Sequence, residues 1–163
     1  MTTEIGNFNE KPHPKDLVLH RTINATRKLV FEAFTQAKHL THWWAPKPFT
    51  TPKCTVDLRP GGEWNYTFRS PEGQEHDCQA VYQEVNPPGK LVMESSVPSP
   101  NGKPFFTIRQ TITLEEKGNK TDLVLAFKVL EANHGAEPFL GGMKQGTNGT
   151  LDNLEEYLER PSQ

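Results

Sequence analysis

The sequence predicts an α+β domain in which a curved antiparallel sheet wraps around one long C-terminal helix, in the order β-α-α-β6-α. Two observations lead there. Between residues 54 and 129, apolar and polar residues alternate in short runs separated by Gly, Pro and Asn turns, the pattern of strands joined by tight connections. Only the stretch Met143 to Arg160 then shows sustained helical periodicity, with Met143, Thr147, Leu151, Leu154 and Leu158 on one stripe. Strands followed by a segregated helix give a sheet with its cover on one side.

Taken in order, residues 1–15 contain Pro12 and Pro14 and read as a flexible lead-in, with a single domain over 16–160. Asp16 to Ile23 alternates Leu17, Leu19, Arg21 and Ile23 against Val18, His20 and Thr22, a strand. Asn24 stands where a helix N-cap belongs. From Ala25 to Thr35, Leu29, Val30, Ala33 and Phe34 recur at helical spacing. A second short helix, Ala37 to Trp44, stops before Pro46. Strands follow at Cys54 to Leu58, Glu63 to Arg69, Glu75 to Val85, Lys90 to Ser95, Phe105 to Leu114 and Thr121 to Val129. Glu131 to Gly142, with Gly135, Pro138 and a glycine pair, reads as a flexible approach to the last helix.

Composition narrows the function. Lys+Arg 18 against Asp+Glu 20 leaves a net charge of −2, with the basic residues scattered rather than clustered. Nucleic acid binding, which rests on a basic face, is not expected. No apolar run reaches the ~18 residues that a membrane span requires, and the first residues lack the apolar core of a signal peptide. The two cysteines, Cys54 and Cys78, fall on strands and make no disulfide framework. A cytoplasmic protein without cofactor is the expectation.

The stretch Val56 to Phe68 is the most informative. Successive strand side chains point to opposite faces, so Trp64, Tyr66 and Phe68 share one face of the sheet. Carried across the other strands, the alternation adds Cys54, Val56 and Leu58, then His76, Cys78, Ala80 and Tyr82, then Leu91 and Met93. Phe106, Ile108, Gln110, Ile112 and Leu114, with Leu123, Leu125 and Phe127, complete the face. It is apolar except for His76, Tyr82 and Gln110, which is how small-molecule sites are built. The candidate cavity lining is therefore Trp44, Trp64, Tyr66, Phe68, His76, Cys78, Tyr82, Met93, Phe106, Ile108, Gln110 and Phe127 from the sheet side. The helix adds Met143, Gly146 and Thr147. One of Trp43 and Trp44 belongs to the core and the other to the pocket mouth.

Other constellations carry less. Cys54, His76 and Cys78 lack the fourth ligand of a zinc site, so no metal is expected. His39 and His42, three apart on a short helix, and the acidic Asp152, Glu155 and Glu156 read as solvated surface. No Gly-x-Ser-x-Gly elbow is present, and no catalytic residue is assigned. An acid/base arrangement would need His76, Tyr82 and Gln110 to converge on one point.

Several segments together carry a resemblance. The order of elements is similar to the helix-grip fold of the START and birch-pollen-allergen superfamily. Within it the chain resembles the branch named after the activator of heat-shock-protein-90 ATPase. The residues are Arg21-Thr22-Ile23-Asn24-Ala25 leading into Leu29 to Phe34, His39 to Pro46, Asp57 to Gly62, Val81 to Pro88, and Gly142-Met143 to Leu158. Thr26 replaces a usual proline and Met143 a usual tryptophan. Taken with the aromatic inner face and its three polar groups, this leads to the expectation of a soluble protein holding a small apolar or aromatic molecule between sheet and last helix. A cyclase- or hydrolase-like enzyme using the same cavity is the alternative, and a chaperone-interacting protein the third reading.

Overall fold

The computed structural model describes residues 11–159. Strands β1 (Leu17–Ile23), β2 (Thr50–Val56), β3 (Glu63–Arg69), β4 (Glu75–Asn86), β5 (Lys90–Val97), β6 (Phe106–Lys117) and β7 (Lys120–Ala132) form one sheet. Its order is β1-β7-β6-β5-β4-β3-β2, antiparallel throughout. Helices α1 (Arg27–Thr35) and α2 (Ala37–Trp43) lie between β1 and β2, and α3 (Glu137–Gly141) and α4 (Met143–Glu159) follow β7. The α+β arrangement expected from the alternation is present. The first ten residues of the lead-in and Arg160 lie outside the described residues.

Four local expectations are corrected. The cap of α1 is Thr26, whose hydroxyl accepts from the Leu29 amide at 3.3 Å, so the helix starts later than Ala25 and Asn24 is not its cap. Leu29 is half exposed rather than buried. β2 begins at Thr50 and runs through Pro52, which an edge strand tolerates because one side of its backbone pairs with no strand of the sheet. At its other end β2 stops at Val56, and Leu58 turns out to solvent at 37% exposure instead of joining the inner face. The segment read as a flexible approach contains α3, with Pro138 at the start where a missing N–H costs nothing.

The turn after β2 explains why Leu58 leaves the sheet. Gly61 N–H donates to the Tyr82 carbonyl at 2.8 Å, and Tyr82 N–H donates back to Gly62 at 2.9 Å. The Asp57–Gly62 loop is thereby folded onto the middle of β4 rather than continuing the strand.

The core fills between this sheet and the helices. Trp43 is 1% exposed, its indole N–H donates to the Ala33 carbonyl at 3.0 Å, and its ring meets Phe34 edge-on at 4.8 Å. On α4, Leu151 and Leu154 are fully buried. The acidic side chains of α4 are more than a solvated face: Arg21, reaching from β1, pairs with Asp152 at 3.0 Å and Glu155 at 2.7 Å. Asn153 adds a bond to the Ala45 carbonyl at 2.6 Å, so the C-terminal half of α4 is pinned from two sides. His39 is likewise not free surface, since its Nδ1 lies 2.6 Å from the Tyr157 hydroxyl while His42 stacks on the same ring at 5.5 Å.

Gly146 and Gly149 bring the backbone of α4 opposite Pro46. A methyl at Gly149 would sit 3.8 Å from Pro46 Cβ, ordinary van der Waals contact. Gly149→Ala is therefore expected to stabilise by about 0.5–1 kcal/mol, because a helical glycine loses more backbone freedom than alanine on folding. Equilibrium denaturation in urea checks this, and a destabilised variant would show that Pro46 cannot accommodate the methyl.

Candidate functional site

The sheet is packed solid at one end and hollow at the other. At the solid end Trp64 is 1% exposed, covered by Trp44 at 4.9 Å, and donates its indole N–H to Cys54 Sγ at 3.3 Å. Tyr82 and Met93, opposite one another on β4 and β5, are closed off in the same region. At the hollow end a cavity of about 370 Å³ opens between the sheet, α3 and the first turns of α4.

Of the side chains expected to line it, Trp44, Tyr66, Phe68, His76, Cys78, Phe106, Ile108, Gln110, Phe127, Met143, Gly146 and Thr147 do so. Trp64, Tyr82 and Met93 do not, which corrects that part of the expectation. They point to the same face as the others but are buried outside the cavity, Trp64 against Trp44, and alternation reports a face without reporting where along it the cover lies. Between the two tryptophans, Trp44 is the one at the cavity and Trp43 the one in the core.

The structure adds Pro46 and Phe49 from the α2–β2 connection, Ser95, Ser96 and Val97 from β5, and Pro138, Phe139, Gly142 and Thr150 above. Phe139 stacks near Phe105 at 5.1 Å and Phe106 at 5.7 Å, and faces His76 edge-on at 6.5 Å, which makes it a side wall at the mouth. Its sequence signal was Glu137-Pro138, an acidic residue and a proline at a helix start.

Among the described residues the lining contains no Asp, Glu, Lys or Arg. Burial pushes the Cys78 thiol up to about 12 and the Tyr66 hydroxyl well above its ordinary range. Both are neutral at physiological pH, and a protonated thiol is not a nucleophile. The Trp44 indole N–H approaches the Tyr66 hydroxyl without reaching hydrogen-bond geometry. His76 and Tyr82 are six positions apart on β4, about 20 Å at ~3.3 Å per residue, and only His76 reaches the cavity. The trio His76, Tyr82 and Gln110 therefore does not converge. Among the described residues no group of three or more His, Cys, Asp or Glu is placed to hold a metal ion. No helix among them is long and apolar enough to cross a membrane.

Two polar groups in the wall stand out. Gln110 is 2% exposed and Ser95 is 6% exposed, and neither Gln110 Oε1 nor Ser95 Oγ has a hydrogen-bond partner among the described residues. Ser95 lies opposite Ile108 on β6, one diagonal step from Gln110 on the same face.

Comparison with known proteins agrees with this architecture. The family described as activator of Hsp90 ATPase homolog 1-like protein matches residues 24–159. A crystal structure of a protein from Nitrosomonas europaea is similar at 27% identity and a TM-score of 0.76, over 90% of this chain and 96% of that one. One from Rhizobium leguminosarum is similar at 25% identity and a TM-score of 0.77, over 89% and 94%. A protein from Silicibacter pomeroyi shares the fold at 19% identity and a TM-score of 0.73, over 88% and 96%. No curated protein matches the chain.

Proposed function

The chain belongs to the family of activator of Hsp90 ATPase homolog 1-like proteins, and from that premise we propose that it is a binding protein for a small, largely apolar molecule. The ligand lies between the sheet and the α3–α4 cover. The observation that carries this reading is the cavity of about 370 Å³ with aromatic and aliphatic walls and no charged carboxylate, ammonium or guanidinium among them. Such pockets bury apolar surface, worth roughly 25 cal/mol per Å² removed from water, and use few polar groups for orientation. An enzymatic reading has less to rest on, because the acid/base candidates are separated along β4 and the Cys78 thiol is held protonated.

A neutral fluorescent probe, N-phenyl-1-naphthylamine, tests the proposal. Uptake should be saturable and should quench tryptophan emission through Trp44, the indole on the cavity wall, so Trp44→Phe should remove most of the quenching. Gly146 also lines the cavity, with Pro46 Cγ 3.7 Å from where its Cβ would stand. Gly146→Leu should block the probe while leaving the melting temperature nearly unchanged. In a close-packed site the same change would overpack and cost about 1–3 kcal/mol. If the wild-type protein takes up no probe, the binding function is wrong.

A further inference from the structure

We propose that the cavity selects an uncharged molecule with its own hydrogen-bonding head, and that this head docks on Gln110 and Ser95. The inference rests on the binding function above and specifies the class of ligand. Gln110 occupies a row of the sheet between Met93 on β5 and Phe127 on β7. A leucine in that row would fill similar space with no polar atom to strip of water. The glutamine instead keeps Oε1 buried without a partner, and Ser95 Oγ beside it is in the same condition. A buried polar group left unpaired bears its full desolvation penalty, and such groups in a native fold call for an account. Both side chains belong to the cavity wall.

The register puts the two within reach of one small group. Diagonal neighbours on adjacent strands have Cα atoms roughly 7–8 Å apart, and Ser95 and Gln110 hold that relation. A carboxamide offers an acceptor and donors, and a serine hydroxyl does both. The complementary head is one that donates and accepts at once: an alcohol, a phenol or a primary amide. A carboxylate or phosphate would enter a wall that holds no Lys or Arg, and an ammonium one that holds no Asp or Glu. An unpaired charge in such a place is strongly disfavoured. His76, the one basic side chain of the wall, stands at the mouth beside Phe68 and Phe139 rather than at the Gln110 row.

A matched series of 2-naphthol, naphthalene and 2-naphthoate, titrated calorimetrically at neutral pH, reads the selection. Naphthol should bind about tenfold or more tightly than naphthalene, the ratio expected when a head fills buried polar positions, and naphthoate should be the weakest of the three. Gln110→Leu should cut the naphthol preference to about threefold or less while keeping naphthalene affinity. That retained affinity doubles as the control for an intact fold. Ser95→Ala should fall between wild type and Gln110→Leu. Equal wild-type affinity for naphthol and naphthalene, tightest binding of naphthoate, or a preference that survives Gln110→Leu would overturn this inference and leave the binding function standing. If none of the three binds, the binding function itself fails and this inference with it.

Discussion

Gly62→Ala is expected to be among the most damaging substitutions in the chain. A Cβ at this position would lie 2.0 Å from the Asp57 carbonyl oxygen and 3.0 Å from that of Arg59, both backbone atoms that no side-chain motion can move aside. The loop cannot simply relax. Gly62 N–H donates to Arg59 at 2.8 Å, its carbonyl accepts from Tyr82, and Gly61 donates to Tyr82 in turn. Any shift that admits the methyl must break the bonds that fold this loop onto β4, beside the fully buried Tyr82. A loss of about 4 kcal/mol, the far end of what single substitutions do, consumes a large share of the ~5–15 kcal/mol that a domain commands. Gly61→Ala separates space from backbone conformation, since that position has open space but φ +84°. Both variants are to be compared by urea denaturation. A Gly62→Ala protein within about 1 kcal/mol of wild type would mean that the loop is not fixed as described.

Leu154→Ala is the second. The side chain is fully buried and faces the sheet from the pinned half of α4. Truncation forfeits its transfer energy and leaves a void, a loss of about 2–5 kcal/mol depending on how far the surroundings collapse. Arg21, bonded to Glu155 at 2.7 Å and to the Asn148 carbonyl at 3.2 Å, holds the helix in register and restrains that collapse. The upper half of the range is therefore expected. A loss below about 0.5 kcal/mol in chemical denaturation would contradict the placement of α4 over the sheet.

The fold was readable because alternation and helical periodicity are local properties of the chain, and here most segments obey one or the other without conflict. Misreadings arose where an element's end is decided by a partner distant in sequence. The start of β2 is hidden from local pattern, since Pro52 argues against a strand unless the strand is known to lie at an edge. Its end is hidden too, because nothing local reveals that Gly61 and Gly62 bond to Tyr82. Within the site, the face of each lining residue was legible, but its depth was not. Trp64, Tyr82 and Met93 share their face with Tyr66 and Gln110 yet are buried outside the cavity, Trp64 by packing against Trp44. Phe139 lies in a segment whose glycines resemble a loop, although it belongs to α3. The bulge between Thr107 and Ile108 further blurs which residues of β6 face inward, since Phe106, Thr107 and Ile108 are all buried.

The two rims of the sheet differ in what they offer a stranger. β2 closes one rim with Pro52, which has no N–H to give, next to the charged Lys53 and a break in register between Thr50 and Lys53. A foreign strand laid against it would find an incomplete ladder and a cation to bury. β1 forms the other rim without a proline, its register to β7 unbroken from Leu17 to Ile23. Protection against sheet-to-sheet adhesion is thus built into the β2 rim, whereas among the described residues the β1 rim has neither a proline nor a break in register to serve the same end.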